Sequence, residues 1–138
     1  MVVIAAALCV AGALAAWRVL GAREAAPAVS YTLLDGSKSS TEAQRGKVLL
    51  VHFWATSCVA CVAEMPQIVS THQKFEARGY ETVAVAMDYD QPAAVARFAQ
   101  SRALPFGVAF DKSGEVARAF GDVKLTPTTF LIDKQGRI

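Results

Sequence analysis

The sequence predicts a single α/β domain, and three observations support this class. A strand, a long helix and a second strand follow one another over Lys47–Met87. A further strand, opened by Pro127, comes near the end of the chain. Two cysteines, Cys58 and Cys61, stand where the first of these strands gives way to the helix. Strands joined by a crossover helix are the unit from which α/β sheets are built.

Length and composition agree with one globular domain and a short appendage. The chain has 138 residues, of which 54% are apolar and 19% charged. The net charge is +2 and no basic block occurs, so nucleic acid is not indicated as a partner. Three cysteines are too few for a disulfide scaffold, so the paired ones call for a local chemical explanation.

The first part of the chain differs sharply from the rest. Met1–Trp17 carries no charged side chain. As a helix it would be about 25 Å long, slightly shorter than a bilayer core of about 30 Å. We therefore predict a signal peptide or membrane anchor over residues 1–22 and a linker over residues 23–28, with a buried N-terminal helix as the alternative. Export would place the domain in an oxidising compartment.

The domain itself is expected to begin at residue 29 with a short edge strand. The segment "VSYTLL" alternates polar and apolar residues, and "DGS" at Asp35–Ser37 turns the chain. The nearly continuous apolar run Lys47–Phe53 is typical of a central strand that is covered on both faces.

A long helix is predicted next, over Val59–Arg78, with Gly79 as its end. Pro66 should kink this helix, because proline lacks a backbone donor and crowds the preceding turn. The buried strand Tyr80–Met87 follows. The crossover makes the two strands parallel and the connection right-handed.

The last third of the chain contains shorter elements. "QPAAVARFAQSR" predicts a helix that begins near Pro92. "FGVAFD" predicts a strand, "SGEVARAFG" a short helix, Thr126–Asp133 a strand, and Asp133–Gly136 a hairpin turn. The chain reaches Ile138 just after this turn. We expect the chain to continue beyond this point with a further strand.

The two paired cysteines are best explained by redox chemistry. Cys58 is expected at the helix N-cap, where unpaired N–H groups and the helix dipole favour an anion, so its pKa should be lowered. Cys61 lies one turn later on the same face, within reach of a disulfide. Cys58 would attack a foreign disulfide, and Cys61 would release the product.

Two other uses of this spacing are weaker. A metal site needs three or four ligands, and neither His52 nor His72 has zinc-finger spacing to the pair, so no metal is assigned. A purely structural disulfide is disfavoured because closing so short a loop constrains the unfolded chain little.

Two nearby residues have two possible roles each. Glu64 follows Cys61 by three residues, on the same helical face. If buried, it is a candidate proton acceptor for Cys61; otherwise it is an exposed helix residue. Trp54 is a candidate substrate-binding residue that would shield the Cys58 thiolate. Alternatively, it packs in the core.

Two segments together identify a family resemblance. "FWATSCVACVAEMP" at Phe53–Pro66 and "TPTTFLIDKQGRI" at Thr126–Ile138 resemble the thioredoxin-like TlpA/ResA family. The resemblance covers about Tyr31 to Ile138. It implies a thioredoxin-like fold with a central mixed β-sheet flanked by helices, of which the final strand and the C-terminal helix would lie beyond these 138 residues. It also implies a periplasmic or membrane-anchored thiol-disulfide oxidoreductase without a bound cofactor, of the kind that includes proteins serving cytochrome c maturation.

The resemblance also implies roles for individual residues. Cys58 matches the attacking cysteine, Cys61 the resolving cysteine and Glu64 the glutamate of the active-site helix. Thr126 and Pro127 match a cis-proline loop that contacts substrate. Two positions depart from the family pattern, with Ser57 in place of tryptophan and Ala60 in place of proline.

The residues between the cysteines help to set the reduction potential, so Val59 and Ala60 leave the direction of electron flow open. The primary hypothesis is a reductase of protein disulfides that receives electrons from a membrane thiol-disulfide transporter. It would be exported or held at the inner membrane by residues 1–20. The alternatives are a non-catalytic binding module with the same fold and a copper-handling protein.

Overall fold

The computed structural model describes residues 24–138 of the chain. The predicted signal peptide or anchor at residues 1–22 and the first linker residue lie outside this part. The strands are β1 Ser30–Thr32, β2 Lys38–Ser40, β3 Val48–Trp54, β4 Tyr80–Ala86, β5 Gly107–Phe110 and β6 Thr128–Ile132. The α-helices are α1 Val59–Phe75, α2 Pro92–Ser101 and α3 Glu115–Ala119, and 3₁₀ turns cover Glu42–Gln44 and Glu76–Arg78.

Four strands form the central sheet, in the order β5-β4-β3-β6. Strand β3 pairs in parallel with β4, from Val48 opposite Tyr80 to Trp54 opposite Ala86. On its other side β3 pairs antiparallel with β6, with Phe53 opposite Thr128. The expected mixed sheet is therefore confirmed, and so is the parallel strand–helix–strand unit.

Strand β3 is buried on both faces, as its apolar run predicts. Leu49, Val51 and Phe53 point to one face, where they join a core with residues of β4, β6 and α3. Phe53 is fully buried there, and its ring meets those of Phe120 and Phe130 with centroids 5.5 and 6.0 Å away. Because successive side chains of a strand alternate, His52 and Trp54 point to the opposite face.

The opposite face of the sheet is covered by α1 and α2. Helix α1 buries Cys61, Met65 and His72, which are spaced by four and seven residues and so form one stripe. Pro66 lies inside this helix, as predicted from the sequence. The α-helix ends at Phe75, earlier than expected, and a 3₁₀ turn covers the remaining residues to Arg78. Gly79 then adopts a φ of 80°, a left-handed conformation that glycine tolerates best.

A two-stranded hairpin and the start of the described chain complete the fold. Strands β1 and β2 pair antiparallel, and the turn between them bonds to β5 through the Leu34 N–H and the Val108 carbonyl, 2.8 Å apart. At the other end of the sheet, Ala25 forms an antiparallel bridge with Arg137. No helix within residues 24–138 combines the length and the apolar character needed to cross a bilayer.

The packing around Phe53 leads to a stability prediction. Phe53→Ala removes a fully buried ring and leaves a cavity between β3, α3 and β6, so we expect a loss of about 3–5 kcal/mol in the free energy of unfolding. Urea denaturation followed by circular dichroism measures this loss. Leu131→Ala on β6 is the matched control, because its side chain is exposed and should cost less than about 1 kcal/mol. Equal losses in the two variants would contradict this account of the core.

Candidate active site

Cys58 caps the helix that follows strand β3. Its backbone is extended, with φ −86° and ψ 103°, and its carbonyl accepts the N–H of Val62 at 3.1 Å. Its Sγ atom accepts the N–H of Cys61 at 3.2 Å. An N–H donor at a helix N-terminus stabilises negative charge, so the helix start favours the thiolate of Cys58 in the reduced protein.

The two cysteines form a disulfide, and their surroundings differ. The Cα atoms of Cys58 and Cys61 are 5.2 Å apart. Cys58 is half-buried, whereas Cys61 is fully buried against Trp54 and Met65. One sulfur therefore lies near the surface and the other lies below it. This asymmetry suits an attacking thiol that a foreign disulfide can reach and a resolving thiol that it cannot.

Asp90 fixes the loop that leads to Cys58. Its carboxylate accepts hydrogen bonds from both the backbone N–H and the hydroxyl of Thr56, and from the N–H of Gln91 at 2.7 Å. Asp90 is 9% exposed and lies just after β4. The loop before the cysteines is thus tied to the loop that follows the neighbouring strand.

The loop before β6 lies at the same edge of the sheet. The Thr126–Pro127 peptide bond is cis, as the family resemblance implied. Tyr89, which precedes Asp90, places its hydroxyl 3.0 Å from the hydroxyl of Thr126. The segment Tyr89–Asp90 therefore links the cysteine loop to the proline loop. This link was missed from the sequence, because nothing in "MDYDQP" marks one acid among several as an anchor.

Trp54 lies beneath the site and has no exposed surface. Its ring packs against Phe98 of α2 with centroids 5.0 Å apart, and against Cys61 in the same buried cluster. Of the two roles considered from the sequence, this position fits core packing, since a fully buried side chain offers no surface to a substrate.

Glu64 contacts a buried histidine of β3. Its Oε1 atom lies 3.5 Å from Nε2 of His52, a contact without hydrogen-bond geometry, while Nδ1 of His52 lies 3.0 Å from the hydroxyl of Thr129. His52 is fully buried, and this burial lowers its pKa from 6.5 to about 4. The Glu64 side chain is 38% exposed, so it is neither the fully buried nor the freely exposed residue considered from the sequence.

Within residues 24–138, no three histidine, cysteine, aspartate or glutamate side chains come together in an arrangement that could hold a metal ion.

Comparison with known proteins identifies the family. The model of the Redoxin family matches residues 22–138. The chain belongs to the Redoxin family. Among curated relatives of this Redoxin protein, thiol-disulfide oxidoreductase ResA of Bacillus thuringiensis subsp. konkukian is 37% identical over 113 residues, and ResA of Bacillus subtilis is 32% identical over 117 residues. These alignments cover 82% and 83% of the chain.

The chain aligns with only 64% of the length of these curated relatives. A solved structure from Chlorobium tepidum, named a thiol:disulfide interchange protein of the thioredoxin family, is 29% identical. It superposes with a TM-score of 0.77 over 85% of this chain and 83% of its own. The thioredoxin-like fold expected from the resemblance is confirmed.

The buried His52 makes stability depend on pH in a defined window. Its pKa is about 4 in the folded Redoxin domain and near 6.5 in the unfolded chain, so the unfolded chain binds more protons between these values. We expect the free energy of unfolding to fall as the pH decreases through this window, by about 3 kcal/mol over its whole width. Urea titrations at several pH values measure the slope. His52→Asn should flatten it, and an unchanged slope in that variant would contradict the prediction.

The Asp90 anchor generates a second prediction. Asp90→Ala leaves the Thr56 N–H and hydroxyl without their acceptor, so we expect a loss of about 1–3 kcal/mol in stability. Thermal denaturation measures this loss. Asp88→Ala is the control, since Asp88 is exposed on the same loop and should change stability by less than about 0.5 kcal/mol. An Asp90→Ala variant as stable as the wild type would contradict the anchoring role of Asp90.

Proposed function

We propose that this Redoxin domain is a thiol-disulfide oxidoreductase that reduces disulfides in protein substrates through Cys58 and Cys61. The observation that carries the proposal is the unequal position of the two sulfurs. Cys58 is half-buried at the N-cap of α1, and Cys61 is fully buried one turn further along the helix. The names of the ResA relatives and of the interchange protein from Chlorobium tepidum support the same reaction class.

The proposed reaction has two steps. The Cys58 thiolate attacks a sulfur of the substrate disulfide, which forms a mixed disulfide and releases one substrate thiolate. Cys61 then loses its proton and attacks Sγ of Cys58, which forms the Cys58–Cys61 disulfide and releases the second substrate thiolate. The substrate disulfide gains two electrons and the cysteine pair loses two. A separate dithiol donor must then reduce the pair again.

The other site residues take supporting roles in this proposal. Glu64 accepts the proton of Cys61, since the two residues are three positions apart on one helix face. Thr126 and Pro127 contact the substrate chain beside Cys58. Trp54 supports the site from below through packing with Cys61.

Exposed apolar side chains at this edge fit a polypeptide substrate. Val59 next to Cys58 is 83% exposed, Leu125 in the proline loop is 79% exposed, and Tyr89 between the two loops is 56% exposed. Several exposed apolar side chains around a reactive group indicate a contact surface. An extended peptide that places its disulfide over Cys58 would cover them.

The cellular setting follows from the family resemblance and remains a proposal. The domain would act outside the cytoplasm, exported or held at the inner membrane by residues 1–20. A membrane thiol-disulfide transporter would donate electrons. Reduction of a cytochrome c precursor is a candidate use. The residues Val59 and Ala60 do not by themselves fix the reduction potential of the cysteine pair. A measured potential near −270 mV would indicate a reductant, and one near −120 mV an oxidant.

Reduction of insulin disulfides by dithiothreitol tests the activity. We expect the wild-type protein to accelerate insulin precipitation, and Cys58→Ser to fall to the uncatalysed rate because it lacks the nucleophile. Cys61→Ser should instead trap a covalent mixed disulfide with the substrate, detectable by mass spectrometry. A wild-type rate equal to that of Cys58→Ser would point to the non-catalytic binding module. Stoichiometric copper in the reduced protein, absent from Cys58→Ser, would point to copper handling.

A further inference from the structure

Helix α1 runs back along strand β3, so its inward residues stand over successive residues of that strand. Cys61 packs with Trp54 in one buried cluster. Three residues further along the helix, Glu64 contacts His52, which precedes Trp54 by two residues on the same face of β3. Residues three apart on a helix are neighbours, and so are residues two apart on one face of a strand. Cys61, Trp54, His52 and Glu64 therefore form one local group.

One of the two ring nitrogens of His52 has no hydrogen-bond partner among the described residues, and the same is true of the indole Nε1 of Trp54. Nδ1 meets the hydroxyl of Thr129 at 3.0 Å. Nε2 is buried and has no hydrogen-bond partner among residues 24–138, although Oε1 of Glu64 is 3.5 Å away. A buried polar atom without a partner is costly, and a small movement of the Glu64 side chain would give it one.

Among the described neighbours of His52, Glu64 is the titratable residue that contacts its ring. On the paired strands the residues opposite His52 are Ala84 of β4 and Thr129 of β6, and neither ionises near neutral pH. From α1, Glu64 contacts the ring and Cys61 lies one turn earlier. Burial keeps the imidazole neutral at this pH. A neutral imidazole whose Nδ1 accepts the hydroxyl of Thr129 carries its proton on Nε2, where it can donate a hydrogen bond to the Glu64 carboxylate.

We propose that His52 is a positioning residue that orients Glu64 to accept the proton of Cys61. This inference rests on the proposed function and assigns a new residue to its second step. When Cys61 attacks Sγ of Cys58 in the mixed disulfide, its proton passes to the Glu64 carboxylate. Throughout this step the Nε2–H of His52 holds one oxygen of the Glu64 carboxyl group, and the other oxygen takes the proton. The proton later leaves through the exposed part of Glu64 to solvent, and His52 ends neutral, as it began.

The chain contains a second histidine that serves as a matched control. His72 is also buried, its Nδ1 lies 3.2 Å from the hydroxyl of Thr82, and its Nε2 lies 3.3 Å from Oε2 of Glu76. It thus repeats the arrangement of a histidine between a threonine and a glutamate. It lies three helical turns beyond Cys61, about 16 Å along the helix axis, too far to affect the proton of that thiol.

Stopped-flow reaction of the reduced protein with 5,5′-dithiobis(2-nitrobenzoate) separates the two steps. The first nitrothiobenzoate is released when Cys58 attacks, at a rate proportional to reagent concentration. The second is released when Cys61 resolves the mixed disulfide, at a rate independent of that concentration. The pH dependence of the second rate reports on the proton transfer from Cys61, and Cys61→Ser identifies this phase by abolishing it.

We expect His52→Asn and Glu64→Gln each to slow the second phase at neutral pH by at least about tenfold and to shift its midpoint to higher pH. Asparagine places its amide near the position of Nδ1 and can still reach Thr129, but it has nothing at the position of Nε2. The double variant should be no slower than Glu64→Gln alone, because the two residues act as one unit. His52→Gln, whose amide reaches the Nε2 position, should retain a faster second phase than His52→Asn.

The controls define what would overturn the inference. The first phase should stay within about twofold of wild type in His52→Asn, and His72→Asn should leave the second phase unchanged. A second phase of wild-type rate and midpoint in His52→Asn would refute the role of His52. The same loss in His72→Asn would also refute it, since it would indicate a general loss of packing.

A second measurement covers the case in which His52→Asn does not fold. In wild-type protein labelled with ¹⁵N-histidine, the Nε2 resonance of His52 should shift between the disulfide and dithiol forms, and that of His72 should not. An unchanged His52 resonance would refute the inference. If wild-type protein shows no second phase at all, the proposed function itself fails, which is a different outcome from a normal second phase that is insensitive to His52.

Discussion

Strand β3 pairs with a strand on each of its sides, and this pairing determines which loops meet at the candidate active site. Its parallel partner β4 ends at Ala86 and its antiparallel partner β6 begins at Thr128, so three loops leave the sheet at one edge. The N–H of Met87 bonds to the carbonyl of Trp54 at 3.0 Å and extends the ladder to this edge. The cysteine loop, the Tyr89–Asp90 segment and the proline loop are close together for this reason.

Because side chains alternate along β3, one face of this strand packs in the core and the other lies under the candidate active site. Phe53 points into the aromatic cluster with Phe120 and Phe130, which stabilises the sheet against α3. His52 and Trp54 point the other way, under α1, where they meet Glu64 and Cys61. One strand of consecutive buried residues thus supports the fold on one side and the reacting sulfur on the other.

Much of this architecture could be predicted from the sequence, because it depends on local patterns. The apolar runs of β3 and β4, Pro92 at the start of α2 and Gly79 after α1 are each signals carried by a few adjacent residues. The cysteine spacing located the candidate site in the same way. The cis bond before Pro127 was expected from the family resemblance rather than from the dipeptide.

The parts that could not be predicted depend on contacts between distant residues. His52 lies within an apolar run, and its environment could not be predicted because it depends on Thr129 of β6, which is 77 positions later in the chain. Asp90 likewise becomes an anchor only because parallel pairing places it next to Thr56. The intermediate exposure of Glu64 is set by how α1 lies across the sheet, which no helical pattern specifies.

The bridge between Ala25 and Arg137 has a geometric consequence. It lies beyond the start of β3, whereas Cys58 follows the end of that strand, so about 20 Å of sheet separates the two. The chain thus enters the domain at the pole opposite the reactive sulfur. If the anchor proposed over residues 1–20 holds the domain at a membrane, Cys58 lies at the end of the sheet that is remote from the attached end.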